Sequence, residues 1–187
     1  MKYFELFGLA PRLNVDAHDL ERRFHDLSRQ HHPDFHTSQS PEKRADALET
    51  TALLNDAYRT LREPTRRAEY LVRSEGCKVD GSKVPQEMLM EVFEINEGLD
   101  DLRTAKQAGR DVGSHLEAVE AFRRQVTAKR EAYDEELTEA FTTWDGLLDA
   151  DAPEDRRRQH LERLADILSQ ASYIRNLERE LDNEVAN

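Results

Sequence analysis

The chain has 187 residues, 35% charged and 37% apolar, which suits one or two small domains that each bury a core. Its 7 glycines and 6 prolines are too few for a turn-rich β fold and favour long helices. The net charge of −12 is uneven: residues 1–75 hold 12 Lys/Arg against 13 Asp/Glu, so nearly all the excess acid lies beyond them, which argues against a nucleic-acid partner and for a basic or mixed-charge protein surface.

In chain order, Tyr3 to Leu9 reads as a helix of one or two turns closed by Gly8, with Pro11 preventing its continuation. The opening Met1-Lys2-Tyr3-Phe4-Glu5-Leu6-Phe7 is too short and too polar for the apolar part of a signal peptide. No run of about 18 apolar residues follows anywhere, so no membrane span is expected. Asp16 can cap the second helix. Leu20, Phe24 and Leu27 recur there at spacings of four and three on one face. His18, Arg22, His25 and Arg29 form a second stripe, with Arg23 on its flank. By itself such a basic stripe is usually a solvated face.

Residues 31–40 read His-His-Pro-Asp-Phe-His-Thr-Ser-Gln-Ser. Pro33 disfavours helical geometry at His32, and Ser40-Pro41 opens the next helix. The core side of that helix is expected to be Ala45, Leu48, Ala52, Asn55, Tyr58 and Leu61, with Leu54. A loop of about eight residues forces the two helices to pair antiparallel, which projects residues 32–34 from one end of a hairpin. Glu63-Pro64 breaks the chain, and Thr65 to Ser74 is a short helix. Two glycines, a serine and a proline make 76–85 a linker between a domain at 1–75 and another at 86–187. Cys77, the single cysteine, can form no internal disulfide, and no Cys-x-x-Cys pair offers ligands for zinc or a cluster. A soluble, reducing, cytoplasmic setting is expected.

The second half reads as three amphipathic helices. Gln86 to about Ala108 carries the stripe Met88, Val92, Ile95, Leu99 and Leu102. Ser114 to Trp144 carries Leu116, Val119, Phe122, Val126, Tyr133, Leu137, Phe141 and Trp144. A turn over Gly146 to Pro153 leads to a third helix ending near Leu181, with Leu161, Leu164, Leu168, Ala171, Ile174, Leu177 and Leu181 as its stripe. Short turns make these an antiparallel three-helix bundle, so the fold class is all-α.

Two segments carry function. In the first, Pro33 stiffens a loop, Asp34 offers a carboxylate for a bidentate arginine pair, and His32 supplies a donor and an acceptor. Arg22, Arg23 and Arg29 can steer the loop toward an acidic groove. In the second, Leu89 and Phe93 lie beside the core stripe of the first bundle helix, followed by Glu94, Glu97 and Asp101. They are either a widened core face with solvated acids or an exposed apolar patch rimmed by carboxylates. A metal site at His25, His31, His32, Asp34 and His36 is disfavoured, because Pro33 breaks the spacing and no His-Glu-x-x-His or Cys/His framework exists. No nucleophile elbow or phosphate-cradling glycine loop suggests catalysis.

His32-Pro33-Asp34 between two amphipathic helices, Asn55-Asp56-Ala57-Tyr58-Arg59-Thr60-Leu61 and Pro64-Thr65-Arg66-Arg67-Ala68-Glu69-Tyr70 together resemble a J domain over residues 1–75. Tyr3-Phe4-Glu5-Leu6-Phe7-Gly8-Leu9, Arg67-Ala68-Glu69-Tyr70-Leu71 and the acidic three-helix second half are more narrowly similar to HscB, the J-protein family of iron–sulfur cluster assembly. Many J domains have a lysine after the tripeptide where this chain has Phe35, which bears on docking strength alone. The absence of a cysteine-bearing N-terminal extension fits the bacterial type of that family. The resemblance implies a non-enzymatic co-chaperone without cofactor or bound metal. Its J domain would stimulate a DnaK/HscA-type ATPase through His32, Pro33, Asp34, Arg22, Arg23 and Arg29. Its C-terminal client-binding domain, of the HscB oligomerisation type, would hold an IscU-type scaffold through Leu89, Phe93, Glu94, Glu97, Asp101 and Tyr173. The alternative is a general J-protein with other clients.

Overall fold

The computed structural model describes residues 2–31 and 41–186, side chains of 41–44 and 186 excepted. Seven α-helices are described: α1 (Lys2–Leu6), α2 (Ala17–Gln30), α3 (Pro41–Arg62), α4 (Pro64–Ser74), α5 (Leu89–Gln107), α6 (Gly113–Asp149) and α7 (Glu154–Ala186), with a 3₁₀ turn at Gln86–Met88 before α5. The described residues contain no strand.

Helix ends follow local chemistry. Asp16 caps α2 as its sequence position predicts, its carboxylate accepting the N–H groups of His18 and Asp19. α4 ends on Gly76 at φ +79°, with Cys77 N–H bonded to the Val72 carbonyl and Gly76 N–H to that of Arg73. α6 ends the same way on a non-glycine residue: Asp151 takes φ +46°, and Ala152 N–H reaches the Leu147 carbonyl. α6 therefore runs through Gly146, and the turn expected from that residue onward begins only at Ala150. An isolated glycine costs a helix about 1 kcal/mol, too little to stop one of 37 residues that packs along its length.

Contacts divide the chain into two compact units, Met1–Cys77 with Ala140–Glu162, and Lys78–Glu139 with Arg163–Asn187. In the first, α2 and α3 pair antiparallel: Phe24 stacks on Tyr58 with centroids 4.2 Å apart, and Thr51 Oγ1 donates to the His31 carbonyl at 3.3 Å. The buried face of α3 is Ala47, Leu54, Ala57 and Leu61. This corrects the expected face. At about 100° per residue, Ala45, Leu48 and Ala52 lie roughly 140–180° from the Leu54–Leu61 line, and all three are exposed, Leu48 at 59%. Apolar residues thus occupy opposed sides of α3, and the side of Ala47, Leu54, Ala57 and Leu61 is the one that packs. α1 is held by Tyr70, whose ring stacks on Tyr3 at 4.4 Å and whose hydroxyl accepts the Tyr3 N–H at 3.0 Å. The 140–162 hairpin tip joins this unit through Asp145, which is buried and accepts N–H groups from Leu13 (2.8 Å) and Asn14 (2.9 Å), and through Trp144 Nε1, which donates to the Pro11 carbonyl at 2.8 Å.

In the second unit α6 runs antiparallel to α5 and α7. Lys129 meets Glu91 and Tyr133 meets Glu87 on one side, while Arg123 meets Asp182 and Arg130 meets Glu178 on the other. α5 and α7 then run parallel, with Arg103 bonded to both Glu180 and Glu184. Met88, Val92, Ile95, Leu99, Leu102, Val119, Val126, Ile174, Leu177 and Leu181 form the core, so the expected α5 stripe and the C-terminal part of the expected α7 stripe pack here; Leu161, Leu164, Leu168 and Ala171 are buried as well.

Candidate partner-binding sites

The first candidate surface is the outer face of α2. His32, Pro33 and Asp34 lie outside the described residues. Arg22 and Arg29 are exposed; Arg22 bonds Asp19, and Arg29 approaches Asp26 at 3.8 Å. Arg23 is engaged inside its own unit. Its Nε donates to Asp19 at 2.8 Å and its Nη1 to the Phe7 carbonyl at 2.9 Å, which ties α2 to the end of α1. The hydrogen bonds from Arg23 and then Arg22 hold the Asp19 carboxyl below its ordinary range. The stripe is thus basic but bordered by acids on its own helix, and Arg22 and Arg29 are its most accessible cations.

The second surface lies on α5. Its core stripe is buried, while Leu89, Met90 and Phe93 are 54%, 73% and 64% exposed. With core residues centred on Val92 and Leu99, helical geometry turns Met90, Glu94, Glu97 and Asp101 nearly opposite the core, with Leu89 and Phe93 together on one flank. Glu94, Glu97 and Asp101 are all exposed. The patch spans about 18 Å of helix from Leu89 to Asp101. Of the two readings of Leu89 and Phe93, the exposed patch is the one observed. Met90 was not singled out from sequence, although its i,i+3 relation to Phe93 is the signal that finds it.

Tyr173 is half-buried against the bundle core, and burial raises its phenol above the usual range. Arg103 sits level with residues 180–184 on the parallel α7, so Tyr173, about nine residues earlier, is level with Glu94. The N-terminal end of the patch is held by polar pairs: Lys129 Nζ meets Glu91 at 3.1 Å, and Tyr133 donates to Glu87 at 2.9 Å. Among the described residues no group of three or more His, Cys, Asp or Glu is placed to hold a metal ion. No helix among them is long and apolar enough to cross a membrane.

Residues 84–182 match the HSCB C-terminal oligomerisation domain, and residues 2–70 match the DnaJ domain. The chain belongs to the HscB family of J-domain co-chaperones. Chaperone HscB from Vibrio cholerae is similar at 29% identity and a TM-score of 0.61, with 98% of this chain and 96% of that one covered. The human co-chaperone protein HscB shares the fold at 24% identity and a TM-score of 0.65, over 97% of this chain and 80% of that one. The match at 2–70 covers α1 to α3 and most of α4, and the match at 84–182 contains the whole α5 patch. An HscB-family chain therefore carries, on the first helix of its C-terminal domain, three large apolar side chains in solvent beside a row of carboxylates.

Proposed function

We propose that this protein is a two-site adaptor that stimulates a DnaK/HscA-type ATPase and delivers an IscU-type iron–sulfur scaffold protein to it. The J domain, residues 1–75, meets the ATPase through His32, Pro33 and Asp34, with Arg22 and Arg29 steering the approach and Arg23 holding α2 in place. After the 76–85 linker, the domain at 86–187 holds the scaffold on Leu89, Met90 and Phe93, with Glu94, Glu97 and Asp101 as a polar rim and Tyr173 beside them. Holding both partners raises the effective concentration of client at the chaperone. Docking accelerates hydrolysis only by favouring the ATPase's hydrolysis-competent state. The adaptor binds no nucleotide, carries no cofactor, performs no chemistry and works in the cytoplasm.

The observation that carries the reading is the exposure of Leu89, Met90 and Phe93 on a helix whose other face is fully packed. Apolar anchors surrounded by polar residues are where binding energy concentrates. Calorimetric titration of the scaffold protein into wild type, Leu89→Ala and Phe93→Ala tests it. Each truncation is expected to weaken binding by about 1–3 kcal/mol. Unchanged affinity in both variants would remove the patch from the scaffold site. Equal capture of a general unfolded client would favour the general J-protein instead.

A further inference from the structure

At the junction of α3 and α4, Arg59, Arg62, Glu63 and Arg66 line an open hollow of about 280 Å³. Arg59 has a carboxylate at 3.9 Å, that of Asp56. Arg62 and Arg66 have none within ion-pair distance among the described residues. The two residues stand on either side of the α3–α4 break and line the hollow together with Arg59. α4 starts at the same place, and no side chain caps its first turn, so the positive end of its dipole adds to the field.

The hollow is also continuous with the α2 surface. Arg62 lies over the Tyr58 ring at 5.6 Å, Tyr58 stacks on Phe24 at 4.2 Å, and Phe24 leans on His25 at 5.5 Å, a member of the α2 basic stripe. Phe24 opposite Tyr58 and His31 opposite Thr51 set the register of the hairpin, so Arg62 is level with Leu20. That is about 16 Å from His31, the described end of α2 beside the tripeptide.

We infer that this hollow receives an acidic segment of the same ATPase that α2 engages, an inference that rests on the co-chaperone reading above. Each free guanidinium can take one carboxylate through two parallel N–H bonds, so two acidic side chains saturate Arg62 and Arg66. About five extended residues span the distance from the tripeptide end of α2 to the hollow. A nucleic-acid strand fits poorly: the chain's net charge of −12 repels it, and Tyr58 has Phe24 and Arg62 against its ring, so it offers little free aromatic surface for a base.

The test measures single-turnover ATP hydrolysis by the ATPase against co-chaperone concentration, using the full chain at low salt. Arg62→Glu with Arg66→Glu is expected to raise the half-maximal concentration roughly tenfold at an unchanged plateau, and the gap should shrink in high salt. Arg62→Gln with Arg66→Gln should give a smaller shift in the same direction, and helical circular dichroism reports folding of each variant. Arg124→Glu with Arg179→Glu changes the net charge equally on other helices and should leave the curve in place. An equal shift in that control would reduce the effect to net charge and overturn the inference. A half-maximal concentration within about twofold of wild type for the Arg62/Arg66 reversal, with the plateau still abolished by Asp34→Asn, would overturn it and leave the co-chaperone reading standing. A plateau that survives Asp34→Asn would remove the co-chaperone reading and this inference with it.

Discussion

Replacing Asp145 by asparagine keeps the side chain's shape and removes its charge. The carboxylate is 8% exposed and accepts two backbone N–H groups, from Leu13 at 2.8 Å and Asn14 at 2.9 Å. An amide presents one oxygen and one NH₂, so one of those N–H groups must face a donor. A hydrogen bond to a charged group contributes about 1.5–3 kcal/mol, and an orphaned buried donor costs about 1–3 kcal/mol, so a loss of about 2–4 kcal/mol is expected. Arg67 adds to it. It is 5% exposed, its Nη1 donates to the Leu61 carbonyl and its Nε has no partner, while Asp145 is the largest influence opposing the effect of burial on its charge. The comparison variant is Asp149→Asn. It breaks an ion pair with Arg12 that stands in solvent, and the stability change should be too small to separate from wild type. Trp144, the only tryptophan, lies in the same unit as Asp145, so its emission during urea unfolding reports on that unit. At a denaturant dependence of about 2 kcal/mol per molar, the midpoint should fall by about 1–2 M for Asp145→Asn. Indistinguishable midpoints for the two variants would refute the assignment of Asp145 as the tie between the 140–162 tip and the Leu13–Asn14 backbone.

Leu99→Ala should destabilise the second unit by about 2–5 kcal/mol, whereas Phe93→Ala should cost less than about 0.5 kcal/mol, because only Leu99 is buried; thermal unfolding followed by circular dichroism compares them. Burial, and then its bond to the Glu87 carboxylate, raise the Tyr133 phenol far above its ordinary value of 10.0. A raised folded-state pKa gives stability that is fully present below the unfolded value and lost as pH climbs through it. Bundle stability should therefore decline above about pH 10, Tyr133→Phe should make that decline shallower, and ultraviolet titration should show both Tyr133 and Tyr173 missing from the tyrosines that ionise in the ordinary range. Asp16→Ala removes the acceptor of two N–H groups at the start of α2 and should lower stability by about 1 kcal/mol, read from the denaturation midpoint.

What the sequence discloses follows how local each feature is. The Asp16 cap, the α7 stripe from Leu161 to Leu181 and the opposed faces of α5 arise from spacings of three and four within one helix, and they are legible there. Leu48 reads as core from sequence because apolar residues occupy both sides of α3, and only packing against α2 and α1 selects between them. Arg66-Arg67 reads as a pair of surface cations. Arg67 is buried, with its guanidinium bonded to the Leu61 carbonyl and under the charge of Asp145, 78 positions away, and no window of sequence contains that pairing. Arg23 looks like a member of the α2 basic face, yet the Phe7 carbonyl, just beyond the end of α1, occupies its guanidinium. On the α5 patch the acids and the apolar Leu89 and Phe93 are readable, and Met90 is readable from the same i,i+3 spacing to Phe93.

The most direct test of the adaptor role is single-turnover ATP hydrolysis by the DnaK/HscA-type ATPase, with the scaffold protein and this chain added separately and together. The chain alone should hydrolyse nothing. It should accelerate the ATPase, and scaffold and chain together should exceed the sum of their separate effects. Phe93→Ala should keep the chain's own stimulation and lose the synergy, whereas Asp34→Asn should lose both. Undiminished stimulation by Asp34→Asn, or synergy that survives Phe93→Ala and Leu89→Ala, would contradict a two-site adaptor.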